Sequence, residues 1–159
     1  MKPVDGHGGE GIIFLEQGDP EANAKIDEIT REGRHLAIVQ EYLPAARIGD
    51  KRVHILNGDP IGAIMRIHAE GKELNNLDQG GVAHRCELDE ADFAICRRIR
   101  RGLINQGILY AGIDVIGGKL IEINVTSPTG LQELSRFDDK PYHHDIIAAL
   151  EAKVVAARR

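Results

Sequence analysis

The segment GIDVIGGKLIEINVTSPTG, residues 112 to 130, constrains the fold more than any other part of the chain. Apolar residues occupy alternate positions on both sides of Gly117-Gly118, which is typical of two antiparallel strands with one buried face. The other face then carries three oxygen-bearing side chains, those of Asp114, Glu122 and Asn124. We therefore predict a β-hairpin whose polar face is either a binding site or an unusually hydrated face of a sheet.

The apolar pattern also predicts the register of this hairpin. A two-residue turn at Gly117-Gly118 would set Asp114 opposite Ile121 and mix the two faces. A three-residue turn that includes Lys119, with a bulge, sets Asp114 opposite Glu122 and keeps one face apolar. We therefore predict the three-residue turn.

The predicted register brings two carboxylates together. Opposed residues on one face lie about 4.5–5.5 Å apart at Cβ, near enough for two carboxylates to share a cation. Mg²⁺ prefers hard oxygen ligands and is often held by one or two carboxylates plus phosphate groups. The hairpin thus predicts a metal site at Asp114, Glu122 and Asn124.

A solvated outer face of a half-exposed hairpin would show the same alternation. The segment TSPTG after the second strand favours a site. Its hydroxyls, its proline-fixed turn and its glycine leave backbone N–H groups free to face an anion.

Composition narrows the class of protein. With 159 residues, 42% of them hydrophobic and 28% charged, the chain has the length and make-up of one ordinary folded domain. A net charge of -5 gives no basic surplus for nucleic acid, and the arginine-rich run 97–101 is interpreted as the solvated face of a helix. The sequence shows no signal peptide or membrane span, so we expect a cytoplasmic protein without a membrane partner. Cys86 and Cys96 are expected to be reduced thiols, because their spacing forms no disulfide framework.

The remaining elements follow from apolar periodicity, caps and turn residues. We predict strands at 12–16 and 35–43, a hairpin of strands 52–56 and 61–67 around Asn57-Gly58, and helices at 20–32, 89–106 and 141–157. Asp89 is predicted to cap the second helix and Gly107 to end it. The long loop at 68–87 is predicted to be either a functional lid or disordered. The helix at 89–106 is expected to bury Phe93, Cys96, Ile99 and Leu103. Both this helix and the last one are expected to cover the sheet face opposite the polar site.

The string D-x-x-G…L-x-E-I-N-V-T-S-P-T, residues 114 to 129, resembles bacterial glutathione synthetase, an ATP-grasp enzyme. Further segments agree in the same order, namely KPxDGxGG at 2–9, QEYL at 40–43, GDKRV at 49–53, and NL with GG between 76 and 81. The similarity covers essentially the whole chain but only the rear half of the family's length. It implies an α+β fold, a partial ATP-grasp fold with an antiparallel sheet and flanking helices. Residues 1–43 would be a remnant of the lid subdomain and residues 44–159 the C-terminal subdomain with the Mg/ATP site.

The resemblance also implies an activity, an ATP-dependent carboxylate–amine ligase that joins γ-glutamylcysteine and glycine through an acyl phosphate. ATP would be converted to ADP, with Mg²⁺ or alternatively Mn²⁺ as the metal. The implied catalytic residues are Arg52 and Arg66. The implied ATP-binding residues are Lys2, Gly6, Gly8 and Gly9 at the phosphates, Gln40, Glu41, Tyr42 and Leu43 at the adenine, and Asp50 near the ribose. The implied substrate-binding residues are Asn76, Thr126, Ser127, Pro128 and Thr129.

The chain departs from the family in two respects. Residues 1–159 do not include a counterpart of the family's N-terminal domain or of the strand and helix before the glycine-rich loop, so we expect a homo-oligomer or a missing N-terminal domain to complete the site. Leu74 and Val82 stand where the family tends to have arginine, which bears on recognition of the γ-glutamyl substrate. Two alternatives therefore stay open. One is an inactive nucleotide-binding remnant, and the other is a different ATP-grasp ligase, such as one that adds glutamate to a protein tail.

Overall fold

The structure is a computed structural model that describes residues 1–6, 10–68 and 80–158. The chain divides into two compact units, Met1–Pro44 and Ala45–Arg159. None of the helices in the described ranges has both the length and the apolar character needed to span a bilayer. The interpretation of the first unit as a lid remnant stays a prediction.

The first unit contains little regular structure. Strand β1 (Lys2–Pro3) pairs antiparallel with β2 (Ala37–Ile38), and helix α1 covers Ala22–Thr30, within the predicted 20–32. The predicted strand at 12–16 is wrong, and the one predicted at 35–43 is reduced to β2. No described residue of this unit is buried. An apolar run becomes a strand when one of its faces packs against a buried core, and the described part of this unit contains no buried core.

The second unit is a five-stranded antiparallel sheet with helices on both faces. Its strands are β3 (Asp50–Leu56), β4 (Asp59–Ile67), β5 (Val82–Cys86), β6 (Tyr110–Ile116) and β7 (Lys119–Asn124), in the spatial order β5-β4-β3-β6-β7. Its helices are α2 (Glu90–Asn105), α3 (Leu131–Asp138) and α4 (Tyr142–Ala157), and a 3₁₀ turn covers Pro44–Arg47. The predicted α+β class with an antiparallel sheet is confirmed.

Strand β5 corrects the loop predicted at 68–87. Residues 82–86 pair antiparallel with β4, from Ile67 opposite Val82 to Ala63 opposite Cys86. The nine-residue β4 is longer than the seven-residue β3 it pairs with, and its other edge offers backbone groups for a further strand. Ala83 and Cys86 also pack on opposite sides of the sheet, which gives this weakly patterned segment a reason to be a strand. The rest of the predicted loop, residues 69–79, lies outside the described residues.

The apolar face of the sheet packs against α2. Val53, Ile55, Ala63, Ile113 and Val115 are buried there together with Cys96 and Leu103 of α2. The helix begins at an Asp89 cap whose carboxylate accepts from the Asp92 backbone, while the Asp92 carboxylate accepts from the Asp89 backbone. This reciprocal box confirms the predicted start. Phe93 is 39% exposed, so its assignment to the core is wrong, whereas Ile99 packs against the core as expected.

The opposite face of the sheet carries a second, smaller core. Ile64 of β4 packs with Leu134 of α3 and Tyr142 of α4. The prediction that residues 141–157 cover the face opposite the site is therefore wrong. The chain leaves β7 on the polar face and enters α3 there, and the short connection after α3 keeps the first turn of α4 beside it.

Candidate functional site

The hairpin of β6 and β7 brings Asp114 and Glu122 opposite each other, as predicted. The turn, however, has two residues rather than three. Ile116 pairs with Lys119 across Gly117 and Gly118, both of which have positive φ, as a two-residue hairpin turn requires. The extra residue is accommodated within β7, where the register shifts past Ile121. The bulge in β7 thus restores the common face that a two-residue turn alone would have lost.

Two arginines and two aspartates form a buried network on this face. Asp50 lies opposite Arg66 across β3 and β4, and Arg52 lies opposite Asp114 across β3 and β6. All four residues are between 4% and 9% exposed. Strand β3 is the centre of the sheet, and its alternate side chains therefore meet partners from both neighbouring strands.

Asp114 is the shared acceptor of this network. Arg52 Nε and Nη2 donate to Asp114 Oδ1 at 2.5 Å and to Oδ2 at 3.1 Å. Arg66 Nη2 forms an ion pair with Asp114 Oδ2 at 2.9 Å, and the same arginine donates to both carboxylate oxygens of Asp50. A guanidinium fork against a carboxylate is a strong and directional pair, so these four side chains hold one another in fixed positions.

The two buried carboxyls respond differently to this environment. Burial would raise the pKa of Asp114, but the hydrogen bond from Arg52 and the charge of Arg66 outweigh burial and hold its pKa below the usual value. Burial prevails at Asp50 and raises its pKa, although the hydrogen bond and the charge of Arg66 act in the opposite direction. Asp114 is therefore the carboxylate of this pair better suited to stay charged beside a cation.

The donor set at the hairpin fits a hard cation. Glu122 is exposed opposite Asp114, and Asn124 Nδ2 lies 3.5 Å from Asp114 Oδ2, so the two carboxylates and this amide lie beside one another on one face. The two arginines already balance much of the charge of Asp114. Within the described ranges, no group of three or more His, Cys, Asp or Glu side chains is arranged to hold a metal. The arrangement thus suits an ion that arrives with anionic groups better than an ion alone.

The segment 126–130, proposed from the sequence as substrate-binding, lies directly on this network. Arg52 Nη1 donates to the Thr129 carbonyl at 2.9 Å. Pro128 sits over Gly112 so closely that a Cβ built at Gly112 would lie 2.6 Å from Pro128 Cβ. Thr126, Ser127 and Thr129 are exposed beside the polar face. One arginine therefore contacts both the carboxylate of the hairpin and the segment after it.

Sequence reasoning missed a histidine on this face. His54 is fully buried next to Arg52 in the alternation of β3, and its Nδ1 lies 2.7 Å from the hydroxyl of Tyr110. Burial, and then the charges of Arg52 and Arg66, lower the pKa of His54 to about 4. Asp50, Arg52 and His54 are two residues apart along the strand. Strand alternation could therefore have placed His54 on the polar face together with Asp50 and Arg52.

The residues predicted to cover ATP lie in the first unit. Lys2 belongs to β1, while Gly6 and residues 40–43 have no regular structure, and Tyr42 packs edge-on against Phe14 with ring centroids 5.7 Å apart. Gln40, Glu41 and Tyr42 are exposed and Leu43 is partly buried. Gly8, Gly9 and Asn76 lie outside the described residues. The roles of all these residues stay predictions.

Comparison with known proteins adds independent findings. The chain matches the family described as prokaryotic glutathione synthetase, ATP-grasp domain, over residues 1–139. It is 44% identical over 150 residues to glutathione synthetase of Thermosynechococcus vestitus and 42% identical over 151 residues to that of a Nostoc species. These matches cover 94% and 95% of this chain but 47% of each relative, so the chain spans about half the length of the curated relatives it matches.

A solved structure supports the fold. D-alanine–D-alanine ligase from Bacillus anthracis, solved in complex with ATP, superposes with a TM-score of 0.59 over 89% of this chain and 50% of its own. The two sequences are 16% identical, so the likeness concerns the fold alone. It confirms the predicted partial ATP-grasp fold.

Proposed function

The chain belongs to the prokaryotic glutathione synthetase ATP-grasp family, and on that premise we propose that it is the ATP- and metal-binding part of an ATP-dependent ligase. The reaction would join γ-glutamylcysteine and glycine. The carboxylate of the first substrate attacks the terminal phosphorus of ATP, ADP leaves, and the amine of glycine displaces phosphate from the acyl phosphate. The observation that carries this proposal is the pairing of Asp114 opposite Glu122 on the face that also bears Arg52 and Arg66.

Charge explains how this face would receive MgATP. The two buried arginines are matched by two buried aspartates, so the network has no excess positive charge for a nucleotide on its own. Mg²⁺, held by Asp114, Glu122 and the oxygen of Asn124, would neutralise charge on the transferring phosphoryl group. Metal and nucleotide are therefore expected to bind together, because the positive charge of Mg²⁺ and the negative charge of the phosphates attract each other.

The chain's own residues would orient the phosphates. Arg52 and Arg66 present planar donors whose positions are set by Asp114 and Asp50, and guanidinium forks suit phosphate and carboxylate oxygens. We therefore assign Arg52 and Arg66 to binding the phosphate and carboxylate groups that react. Asp50 would lie at the ribose end while orienting Arg66. The segment Thr126–Thr129, and Asn76, would contact the peptide substrate.

The first unit would cover the nucleotide. Lys2 adds positive charge, and the glycines Gly6, Gly8 and Gly9 allow backbone N–H groups to approach the phosphates. Gln40, Glu41, Tyr42 and Leu43 would hold the adenine. Because the chain spans about half the length of its relatives, the rest of the substrate site is assigned to a preceding domain or to a second copy of the chain. The cytoplasmic location stays a prediction.

The substitution Glu122→Gln tests the metal assignment. A ligand that binds only the folded protein stabilises it by about 2.7 kcal/mol at a hundred times its Kd. MgATP should raise the Tm of the wild-type chain, and Glu122→Gln should lose most of that rise, because an amide oxygen is a much weaker Mg²⁺ ligand than a carboxylate. The matched control is Glu151→Gln on the exposed side of α4, which should respond like the wild type. An undiminished MgATP shift in Glu122→Gln would contradict the assignment.

Turnover separates the remaining alternatives. The proposed ligase releases ADP only when γ-glutamylcysteine and glycine are both present. Nucleotide binding without ADP release would indicate an inactive remnant. Release stimulated by other carboxylate substrates would indicate a different ATP-grasp ligase.

A further inference from the structure

His54 is a buried ionisable group for which the proposed chemistry has no use. Its ring is fully buried, and one nitrogen, Nδ1, lies 2.7 Å from the Tyr110 hydroxyl. The other nitrogen, Nε2, has no hydrogen-bond partner among the described residues. Buried polar atoms in folded proteins almost always have a partner, so this atom calls for an explanation.

Gly130 is the neighbour in a position to supply that partner. A Cβ built at Gly130 would lie 3.4 Å from His54 Nε2, and the Gly130 backbone raises the pKa of the ring, which is the direction expected of a nearby carbonyl acceptor. Gly130 is buried, ends the segment 126–130, and its carbonyl accepts from the Leu134 N–H at 3.0 Å as the first bond of α3. A small approach of ring and carbonyl would satisfy the second lone pair of that carbonyl.

The protonation state of the ring fits this arrangement. The pKa of His54 is lowered to about 4 by burial and by the charges of Arg52 and Arg66, so the imidazole is neutral near pH 7. A neutral ring has one N–H donor and one acceptor nitrogen. Tyr110 can donate its hydroxyl hydrogen to the acceptor, which leaves the N–H on the side of Gly130.

We propose that His54 is a positioning residue that fixes the segment Thr126–Gly130 by accepting from Tyr110 at Nδ1 and donating from Nε2 to the Gly130 carbonyl. Its burial keeps it from touching a substrate, so it acts through the backbone of Gly130. Together with the bond from Arg52 to the Thr129 carbonyl, it would hold the C-terminal end of this segment against the sheet. The effect on substrate binding rests on the proposed function, whereas the hydrogen bond itself does not.

The hydrogen bond can be tested on the full chain without any ligand. Nitrogen-15 NMR of the ring should show the Nε2-protonated tautomer at pH 7.5, with a through-bond coupling from Nε2 to the Gly130 carbonyl carbon. The Nδ1-protonated tautomer would overturn the proposal, because Nε2 could then donate nothing.

Two substitutions separate the ring's two contacts. The amide of Gln reaches roughly the position of Nε2, and the amide of Asn that of Nδ1, so His54→Gln keeps a donor for Gly130 and His54→Asn does not. We expect the Leu134 amide hydrogen to exchange about tenfold faster in His54→Asn than in His54→Gln, the factor that one lost hydrogen bond of about 1.4 kcal/mol carries. Equal exchange in the two variants would overturn the proposal. Tyr110→Phe, which keeps the donor to Gly130, serves as a further variant should His54→Asn fail to fold, and is expected to behave like His54→Gln.

Kinetics then test the role in the site. KM for γ-glutamylcysteine should rise about tenfold in His54→Asn and recover in His54→Gln, while the Tm shift with MgATP stays the same in both. A general loss of stability would instead change the MgATP response and kcat together. Absence of turnover in the wild-type chain would count against the proposed function, and the NMR and exchange results would still decide the role of His54.

Discussion

The tight packing of Pro128 over Gly112 leads to a prediction about stability. A Cβ at this position would lie 2.6 Å from Pro128 Cβ and 3.0 Å from Arg52 Cδ. Carbon atoms pack best at about 3.5–4.0 Å, so Gly112→Ala creates an overlap of about 1 Å with a rigid proline ring. Neither neighbour can yield without moving the segment 126–130 or the buried arginine.

The cost follows from these two contacts. Inserting a methyl group into a well-packed place costs about 1–3 kcal/mol. Displacing Pro128 also weakens the bond from Arg52 to the Thr129 carbonyl, and a hydrogen bond to a charged group is worth about 1.5–3 kcal/mol. Because the two losses share one displacement, we expect Gly112→Ala to reduce the free energy of unfolding by about 2–4 kcal/mol in all.

Urea denaturation followed by circular dichroism measures this change, and two other glycines provide controls. A Cβ at Gly102, inside α2, meets nothing within 4 Å, so Gly102→Ala should gain about 0.5–1 kcal/mol from helix propensity. The three atoms nearest to a Cβ built at Gly62 belong to the Leu134 side chain, at 2.9 Å or more, rather than to a proline ring, so Gly62→Ala should cost less than Gly112→Ala. A Gly112→Ala chain as stable as the wild type would refute the reasoning, since it would show that the segment is not seated on the sheet.

Two further predictions concern buried ionisable side chains. The pKa of His54 is about 4 in the folded chain against 6.5 when unfolded, so below pH 6.5 the unfolded state binds more protons and stability falls with falling pH. Between pH 7.5 and 4.5 the wild type should therefore lose about 2–3 kcal/mol more than His54→Gln in urea titrations, and equal losses would contradict the pKa. Lys51 Nζ donates to the buried Asp92 carboxylate at 2.5 Å, and Lys51→Met should cost about 3–5 kcal/mol because it removes the cation from a buried ion pair. The exposed pair of Arg100 and Asp59 should contribute less than about 1 kcal/mol, so Arg100→Ala is the control, and equal effects of the two variants would exclude this account.

The correct predictions of the hairpin face and of the bounds of α2 came from patterns of neighbouring residues. Alternation along residues 112–125 identified the common face of Asp114 and Glu122, and the Asp89 cap with Gly107 bounded α2. These signals are carried by neighbouring residues, since strand alternation and helix caps depend on backbone geometry within a few positions. The resemblance at residues 114–129 added the family, which the match over residues 1–139 bears out.

Contacts between strands that no short turn joins could be seen only in the folded chain. Placing β3 between β4 and β6 gives Asp114 its two arginine partners, and no periodicity along the chain specifies that neighbour order. The position of the bulge at Ile121, the strand at 82–86 and the side of the sheet taken by α3 and α4 likewise depend on packing between distant segments. Alternation is a local pattern, so the residues that share a face could be recognised from the sequence. The contacts that set charge and position in the site are made across strands that lie far apart in the chain.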